Sequence, residues 1–238
     1  MKIAVLFDGA GLARLGLEQA GHECTGFELN PVVHYLGQFV GSGNTMLADV
    51  RDVDLSPFDA VWASPPCQPY SVARTEPLPE TRYNMALLDW ALAIKAPVLW
   101  VENVMPQGSL KNAWGRPYNA AQFLEAPVQN RNRLIGGNYL EPKTFRKYAR
   151  LYDPETICPA ITASEYKGCA SDTRRASRFY GRKLTVEECA YHQGFTVPSE
   201  WNTIPDEFSA ARWERVLYEV IGNGVPVYMA KAFGDVYA

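Results

Sequence analysis

A cysteine lies directly behind two prolines in the segment SPPCQPYS, residues 64–71, which follows an apolar run at 60–63. Cys67 has two interpretations. A free cysteine is often a small buried apolar residue, and prolines often end a strand. Alternatively, the prolines fix a rigid loop that presents a nucleophilic sulfur at the carboxyl end of a strand. The residues expected at the same edge decide between them.

Three more side chains with catalytic chemistry follow Cys67 in the chain. Glu102 ends another apolar run within VENV, so parallel pairing of the two runs would place it at the same sheet edge as Cys67. Arg131 and Arg133 lie two residues apart in QNRNR and would share one face of a strand. That spacing is also typical of a solvated strand face, so it does not define a site alone.

The first turn of the chain predicts a nucleoside site. Gly9 and Gly11, in FDGAG, would let a ligand approach the backbone. Glu28 ends the second run, where it could accept hydrogen bonds from two ribose hydroxyls, and Asp49 ends the third, where it could hold an adenine amino group. The turn lacks the complete Gly-x-Gly-x-x-Gly pattern, which favours an adenosine ligand without phosphates. S-adenosylmethionine fits this description.

The elements that must position these residues alternate along the chain. Amphipathic patterns near 12–20, 84–96, 209–222 and 227–233 predict helices. We therefore predict an α/β fold, a Rossmann-like, mostly parallel sheet with helices on both faces. Residues 141–181 break the rhythm and predict a small irregular insert. The strands are predicted at short, nearly continuous apolar runs, which are 3–7, 25–27, 45–48, 60–63 and 97–101.

Composition favours an ordinary cytoplasmic protein. The 238 residues are 47% hydrophobic and 21% charged, which suits one moderately large domain. No run approaches the roughly 18 apolar residues of a membrane span, and Asp8 interrupts the first apolar stretch, which argues against a signal peptide. The five cysteines are odd in number and widely spaced. This argues for a reducing compartment and against a disulfide framework or a metal site.

Charge is distributed unevenly. The net charge is −3, yet residues 131–183 hold 12 Lys and Arg against 5 Asp and Glu. An electropositive segment on an acidic body suggests contact with a polyanion, although a solvated basic loop would have the same composition.

Eight segments between residues 3 and 232 occur in the order found in the DNA cytosine-5 methyltransferases, and the chain resembles that family. The insert after Arg133 is short for the family, and apart from PAITAS the stretch from about 139 to 181 is unmatched. Ala63 and Ser64 stand where glycines are usual, and Asp8 stands in the first motif where relatives often have a small residue. The segments are FDGAGLARLGLEQAG, FELN, ADVRDV, SPPCQPYS, VENV, QNRNR, LTVEECAYHQGFTVP and GNGVPVYMAKA.

The resemblance implies a mechanism. A Cys67 thiolate would add to carbon 6 of a flipped-out cytosine, and carbon 5 would then attack the methyl group of S-adenosylmethionine. The thiolate requires surroundings that favour the anion, and the positive charge of a nearby arginine would contribute to this. Glu102 would donate a proton to N3, which requires a carboxyl pKa raised by burial. Arg131 and Arg133 would touch the base oxygen, the target strand or Glu102.

The resemblance also implies an organisation. Residues 1–138 and 184–238 would form the catalytic domain that binds S-adenosylmethionine, and 139–183 a target-recognition segment for a short site. Residues 68–83 would close over the flipped base, or else form an inert connection. The predicted cofactor residues are Phe7, Gly9, Gly11, Leu12, Glu28, Leu29, Asp49, Val50, Pro66, Asn223 and Val225. The predicted DNA-binding residues are Gln68, Ser71, Arg146, Lys147, Arg174, Arg175 and Arg178.

Three alternatives stay open at this level. The substrate could be the cytosine of a transfer RNA, the chain could be an inactive relative that binds DNA, or Cys67 could serve a hydrolase together with a histidine. Only three histidines occur, and His192 is expected to be structural. The resemblance favours a bacterial or phage enzyme that acts on double-stranded DNA as a monomer. It leaves open a cognate restriction endonuclease as a second partner.

Overall fold

The computed structural model describes residues 1–67, 82–105, 114–125, 128–145, 147, 157–168 and 176–238. The strands in these ranges are β1 (Lys2–Leu6), β2 (Glu23–Glu28), β3 (Thr45–Leu47), β4 (Ala60–Ala63), β5 (Val98–Val104), β6 (Arg116–Asn119) and β7 (Asn132–Asn138). The α-helices are α1 (Leu12–Gln19), α2 (Pro31–Gly37), α3 (Arg82–Leu92), α4 (Ala176–Tyr180), α5 (Val186–Gln193), α6 (Ala210–Asn223) and α7 (Val227–Gly234).

The strands form one sheet in the order β3-β2-β1-β4-β5-β7-β6. The first five are parallel, which confirms the predicted α/β class, whereas β7 runs antiparallel to both β5 and β6. The segment RPYN of β6 is polar and contains Pro117, which cannot donate to a ladder. It therefore gives no strand signal, although its place at the sheet edge suits a proline.

The central strands are buried on both faces, as their continuous apolar character predicts. In β1, Ile3 and Val5 face a core that contains Phe233 of α7, while Ala4 and Leu6 face a second core that contains Leu88 of α3. Helices therefore cover both faces of the sheet. Since α1 and α7 pack in the same core, the segment that ends α6 and begins α7 is brought beside the β1–α1 turn.

A third core connects the insert to the main body. Cys158 and Ile161 of the insert pack with Trp201 and with Trp213 of α6. The insert is less irregular than predicted, because it contains α4 and a 3-10 turn at Glu165–Lys167. Its described residues share their apolar core with α2, α5 and α6, so the division into two domains stays a prediction.

The boundaries of two strands carry information about the site. β4 has the predicted limits, since the prolines that follow it end the pairing. β5 extends beyond the predicted residue 101 to Val104, because Glu102 and Asn103 are buried and pair with β7. Among the described residues, no helix has the length and apolar character needed to cross a bilayer.

Candidate active site

The loop that carries Cys67 is fixed at both of its neighbouring strands. The indole Nε1 of Trp62 in β4 donates to Ser64 Oγ at 2.9 Å, and the amide of Asn103 in β5 donates to the carbonyl of Pro65 at 3.0 Å. Cys67 is half-buried and lines a cavity, whereas the other cysteines in the described ranges are buried. The contacts of Cys67 with the cavity favour the nucleophile interpretation over that of a core residue.

Glu102 lies at the same sheet edge as Cys67, as predicted, because Ala63 at the end of β4 pairs with Val101 of β5. Its carboxylate is buried and forms an ion pair with Arg133 of β7, with 2.7 Å between Oε1 and Nε. Of the three contacts predicted for the two arginines, the one with Glu102 is therefore present and is made by Arg133.

The electrostatic surroundings of Cys67 oppose ionisation in this ligand-free protein. Burial raises the pKa of its thiol above the ordinary value, and the charge of Glu102 raises it further, while Arg133 and Arg131 lower it. The expected stabilisation of the thiolate is therefore only partial, because the arginines do not offset the desolvation. In the ligand-free protein, these surroundings favour the thiol over the thiolate.

Arg131 is more deeply buried than Arg133 and makes different contacts. Its guanidinium donates to the carbonyls of Gly222 and Gly224 at 2.8 and 2.9 Å, and also to the carbonyl of Ile161. Burial, with the charge of Arg133, lowers its pKa to about 9, so it remains charged at neutral pH. Arg131 thus joins the start of β7 to the insert and to the segment before α7, and its catalytic role stays a prediction.

The β1–α1 turn presents backbone groups towards the end of β2. Phe7 and Gly9 both have positive φ, at 57° and 61°. The amide of Gly9 donates to Glu28 Oε2 at 2.9 Å, and the amide of Asn30 donates to Glu28 Oε1 at 2.8 Å. These bonds fix the carboxylate while each oxygen keeps a lone pair for a ligand hydroxyl.

Gly11 is not among the residues that line the cavity, and its predicted contact with the cofactor stays a prediction. It caps α1 in the left-handed conformation, at φ 84°. A Cβ at this position would lie 2.4 Å from an Nη atom of Arg14. Glycine is therefore required both by the backbone and by the arginine packed against it.

Asp49 is held by Arg51, which sequence reasoning missed. The Arg51 side chain binds both oxygens of the carboxylate, at 2.9 and 2.5 Å, and its backbone amide donates to Oδ1 at 3.0 Å. These bonds lower the pKa of Asp49 to about 2, so the group is a permanent acceptor at neutral pH.

One cavity of about 1290 Å³ joins these groups. We call the part around Gly9, Glu28 and Asp49 its cofactor half, and the part around Cys67, Glu102 and the two arginines its base half. The lining includes all four predicted catalytic residues and every predicted cofactor residue except Gly11, namely Phe7, Gly9, Leu12, Glu28, Leu29, Asp49, Val50, Pro66, Asn223 and Val225.

Several residues that line the cavity were not among the site residues predicted from the sequence. Ser64, Asn103, Asn132 and the stretch 160–164, from the insert, all border the cavity. The match of PAITAS was a signal for that stretch, and the asparagine of VENV was one for Asn103.

The positions of the histidines argue against a hydrolase in which Cys67 acts together with a histidine. Within the described ranges, none of the three lines the cavity. His192 Nδ1 contacts the carbonyl of Val128 at 2.5 Å and its Nε2 contacts the hydroxyl of Tyr180 at 2.7 Å, in the structural role expected. Burial lowers its pKa.

The predicted DNA-binding residues are only partly described. Lys147 and Arg178 are exposed, while Gln68, Ser71, Arg146, Arg174 and Arg175 lie outside the described residues, as does most of the predicted closing loop. Two other cations of the basic segment are paired: Arg182 with Glu188 at 2.5 Å, and Lys183 with Glu214 at 2.9 Å. The exposed positive charge is therefore smaller than the composition indicates.

Comparison with known proteins identifies the family of the chain. The model of the family described as C-5 cytosine-specific DNA methylase matches residues 1–107 and 111–237. The chain belongs to this family. This match confirms the family resemblance seen in the sequence, and it extends over nearly the whole chain. No protein of curated function matches the sequence.

Solved structures show the same fold at low identity. The Entamoeba histolytica methyltransferase EhMeth has a TM-score of 0.63 at 13% identity, with 98% of this chain and 96% of that chain covered. The S. pombe Dnmt2 methyltransferase has a TM-score of 0.59 at 14% identity, with 100% of this chain and 97% of that chain covered. A putative DNA modification methyltransferase encoded within an E. coli prophage has a TM-score of 0.58 at 15% identity, with 100% of this chain and 98% of that chain covered.

Proposed function

We propose that this methylase transfers a methyl group from S-adenosylmethionine to carbon 5 of cytosine in DNA, through a covalent adduct between Cys67 and a flipped-out base. The observation that carries the proposal is that Cys67, Glu102 and Arg133 share one cavity with Glu28 and Asp49. A nucleophile with an acid beside it and a site for an adenosine group are the two requirements of this reaction.

The residues of the cofactor half fit S-adenosylmethionine. Glu28, fixed by two backbone amides, would accept the ribose hydroxyls, and the permanently charged Asp49 would accept the adenine amino group. Asn223 and Val225 would border the remainder of the molecule. When bound, S-adenosylmethionine supplies an electrophilic methyl group.

In the base half, the Cys67 sulfur forms a bond to carbon 6 after it loses its proton to solvent. The electron pair of the 5,6 double bond is thereby made available at carbon 5, and N3 takes a proton from Glu102. The carboxylate of Glu102 is ion-paired with Arg133 in the ligand-free protein, so it must first gain that proton from solvent. Carbon 5 gains the methyl group as the bond from that group to the sulfonium sulfur breaks, which leaves S-adenosylhomocysteine. A solvent base then removes the proton of carbon 5, the bond from Cys67 to carbon 6 breaks and returns a thiolate, and Glu102 regains its proton from N3.

Arg133 would keep Glu102 directed at the base and would stabilise the developing negative charge on the ring and sulfur. Its ion pair with Glu102 and its electrostatic effect on the Cys67 thiol both support this role. The target cytosine must leave the duplex to reach the cavity, which costs unstacking energy.

Double-stranded DNA is the substrate we propose, with Lys147 and Arg178 among the residues that contact phosphates. We further propose a cytoplasmic enzyme that acts as a monomer. The fold similarity to an enzyme encoded within a prophage supports, by analogy only, a link with phage DNA or with a restriction endonuclease.

Methyl transfer to defined nucleic acids tests the proposal. Purified protein is incubated with labelled S-adenosylmethionine and either duplex DNA or transfer RNA, and the products are digested to nucleosides. We expect labelled 5-methylcytosine from DNA and none from RNA. Label in RNA alone would replace DNA with RNA as substrate, and label in neither would contradict the proposed activity.

A further inference from the structure

An arginine outside the predicted site is buried beneath the turn of the cofactor half. The side chain of Arg14 in α1 is completely buried and donates to Asp8 Oδ2 at 3.0 Å. It also donates to the carbonyls of Gly37 and Val40, at 2.8 and 3.0 Å. An arginine with this many fixed acceptors holds several backbone segments in one arrangement.

Asp8 is fixed in a matching space. Its carboxylate lies against Gly26 of β2 so closely that a Cβ there would be 2.1 Å from Oδ2. The groups that act on its charge are Arg14, which favours ionisation, Glu28, which opposes it, and Thr45. Burial outweighs these contacts and raises the pKa of Asp8 to about 6.

The pair connects the two segments that hold Glu28. Asp8 directly precedes Gly9, whose amide donates to Glu28 Oε2. The carbonyls bound by Arg14 lie at the end of α2 and just after it, and α2 begins directly after Asn30, whose amide donates to Glu28 Oε1. Arg14 therefore ties together the supports of both oxygens of the predicted ribose acceptor.

The ionised form of Asp8 does not stabilise the fold. Its folded pKa lies above the ordinary value of an aspartate. The contribution of this group to stability is therefore present at acid pH and is lost as pH rises through about 6. At neutral pH the charged, buried carboxylate opposes folding, as buried ion pairs often do.

We propose that Asp8 and Arg14 are a positioning pair that holds Glu28 for the cofactor, so that cofactor affinity depends on the ionisation of Asp8. The inference rests on the proposed function for the identity of the ligand. It adds a pH-dependent control that acts through side chains which do not themselves contact the reacting atoms.

Direct binding of S-adenosylhomocysteine between pH 5.0 and 7.5, measured by calorimetry without DNA, tests this. For the wild type, protonation of Asp8 leaves about one tenth of the protein competent at pH 5.0, so Kd rises about tenfold. Asp8→Asn is expected to bind about tenfold more weakly at pH 7.5 and to show no step near pH 6, with kcat at saturating cofactor unchanged. Asp235→Asn, which removes an exposed ion pair of Lys231 on α7, is the matched control and is expected to behave as wild type.

Arg14→Lys keeps the charge but cannot reach both carbonyls, so it serves if Asp8→Asn does not fold. It is expected to weaken binding while it retains the step near pH 6. A flat wild-type profile, or wild-type affinity in either folded variant, would overturn the positioning role and leave the proposed function intact. A wild type that binds no S-adenosylhomocysteine at pH 7.5 would contradict both.

Discussion

The two halves of the cavity use carboxylates in opposite ways. In the cofactor half, Glu28 accepts two backbone amides, and Asp49 has a pKa of about 2 because of Arg51. In the base half, Glu102 is buried beside Arg133, and the thiol of Cys67 has a raised pKa. In the proposed function, one half therefore offers carboxylates fixed for recognition, whereas the groups of the other half would change charge during the reaction.

Substitution of Cys67 is expected to give the largest difference between the two halves of the cavity. Cys67→Ser is expected to reduce methyl transfer by about a thousandfold or more, because the oxygen nucleophile cannot replace the thiolate. Cofactor affinity is expected to stay within about twofold, since the cofactor half is unchanged. Cys24→Ala, at a buried thiol that is not among the residues lining the cavity, is the control and is expected to retain activity. Activity in Cys67→Ser would remove Cys67 from the chemistry.

The two arginines are expected to differ in their effect on catalysis rather than on stability. Arg133→Gln is expected to lower kcat about a hundredfold. It also leaves the buried carboxylate of Glu102 without its cation, which is expected to cost about 3 kcal/mol in the free energy of unfolding. Arg131→Gln leaves buried carbonyls without their donor and is expected to cost a similar free energy of unfolding, with a smaller loss of kcat in the folded variant. Urea unfolding and steady-state kinetics of both variants measure this. Equal losses of kcat would contradict the distinct roles assigned to them.

The cofactor half is expected to affect binding alone. Glu28→Gln removes the charge of the ribose acceptor and should raise Kd for S-adenosylhomocysteine about tenfold. We expect kcat at saturating cofactor to remain near the wild-type value. A variant with normal Kd and reduced kcat would show that Glu28 acts in the base half instead.

Alkylation of Cys67 in the ligand-free protein gives the smallest effect and tests the electrostatics alone. Since its pKa is raised, the rate with iodoacetamide at pH 7.5 should be below that of free cysteine and should increase about tenfold per pH unit. Glu102→Gln is expected to accelerate it and Arg133→Gln to slow it, each severalfold, because Glu102 raises the pKa and Arg133 lowers it. Mass spectrometry of the Cys67 peptide measures the rate. Changes of the opposite sign would refute this account of the base half.

The sequence predicted the parts that local pattern determines. An apolar run ended by prolines defined β4, and the parallel alternation of strands placed Glu102 at the edge where Cys67 lies. Glu28, which ends β2, and Asp49, which lies two residues after β3, were predicted on the same basis. These predictions needed only strand periodicity and the rule that parallel strands end at one edge.

Strand periodicity and the positions of strand ends do not predict contacts between side chains that are distant in the sequence. Arg131 and Arg133 are the same residue type two positions apart. Only the folded chain shows that one meets the carbonyls of Gly222 and Gly224 and the other meets Glu102. Gly11 was likewise predicted from its place in the first turn, and only the folded chain shows that its missing side chain makes room for Arg14.

The central claim is that the sulfur of Cys67 bonds to a cytosine ring held by Glu102. Duplex DNA in which 5-fluorocytosine replaces the target cytosine tests it directly, because fluorine at carbon 5 blocks the proton loss that releases the enzyme. With S-adenosylmethionine present, we expect a protein–DNA adduct that survives denaturation and maps to Cys67. Absence of an adduct from an active wild type, or an adduct that persists in Cys67→Ser, would contradict the account.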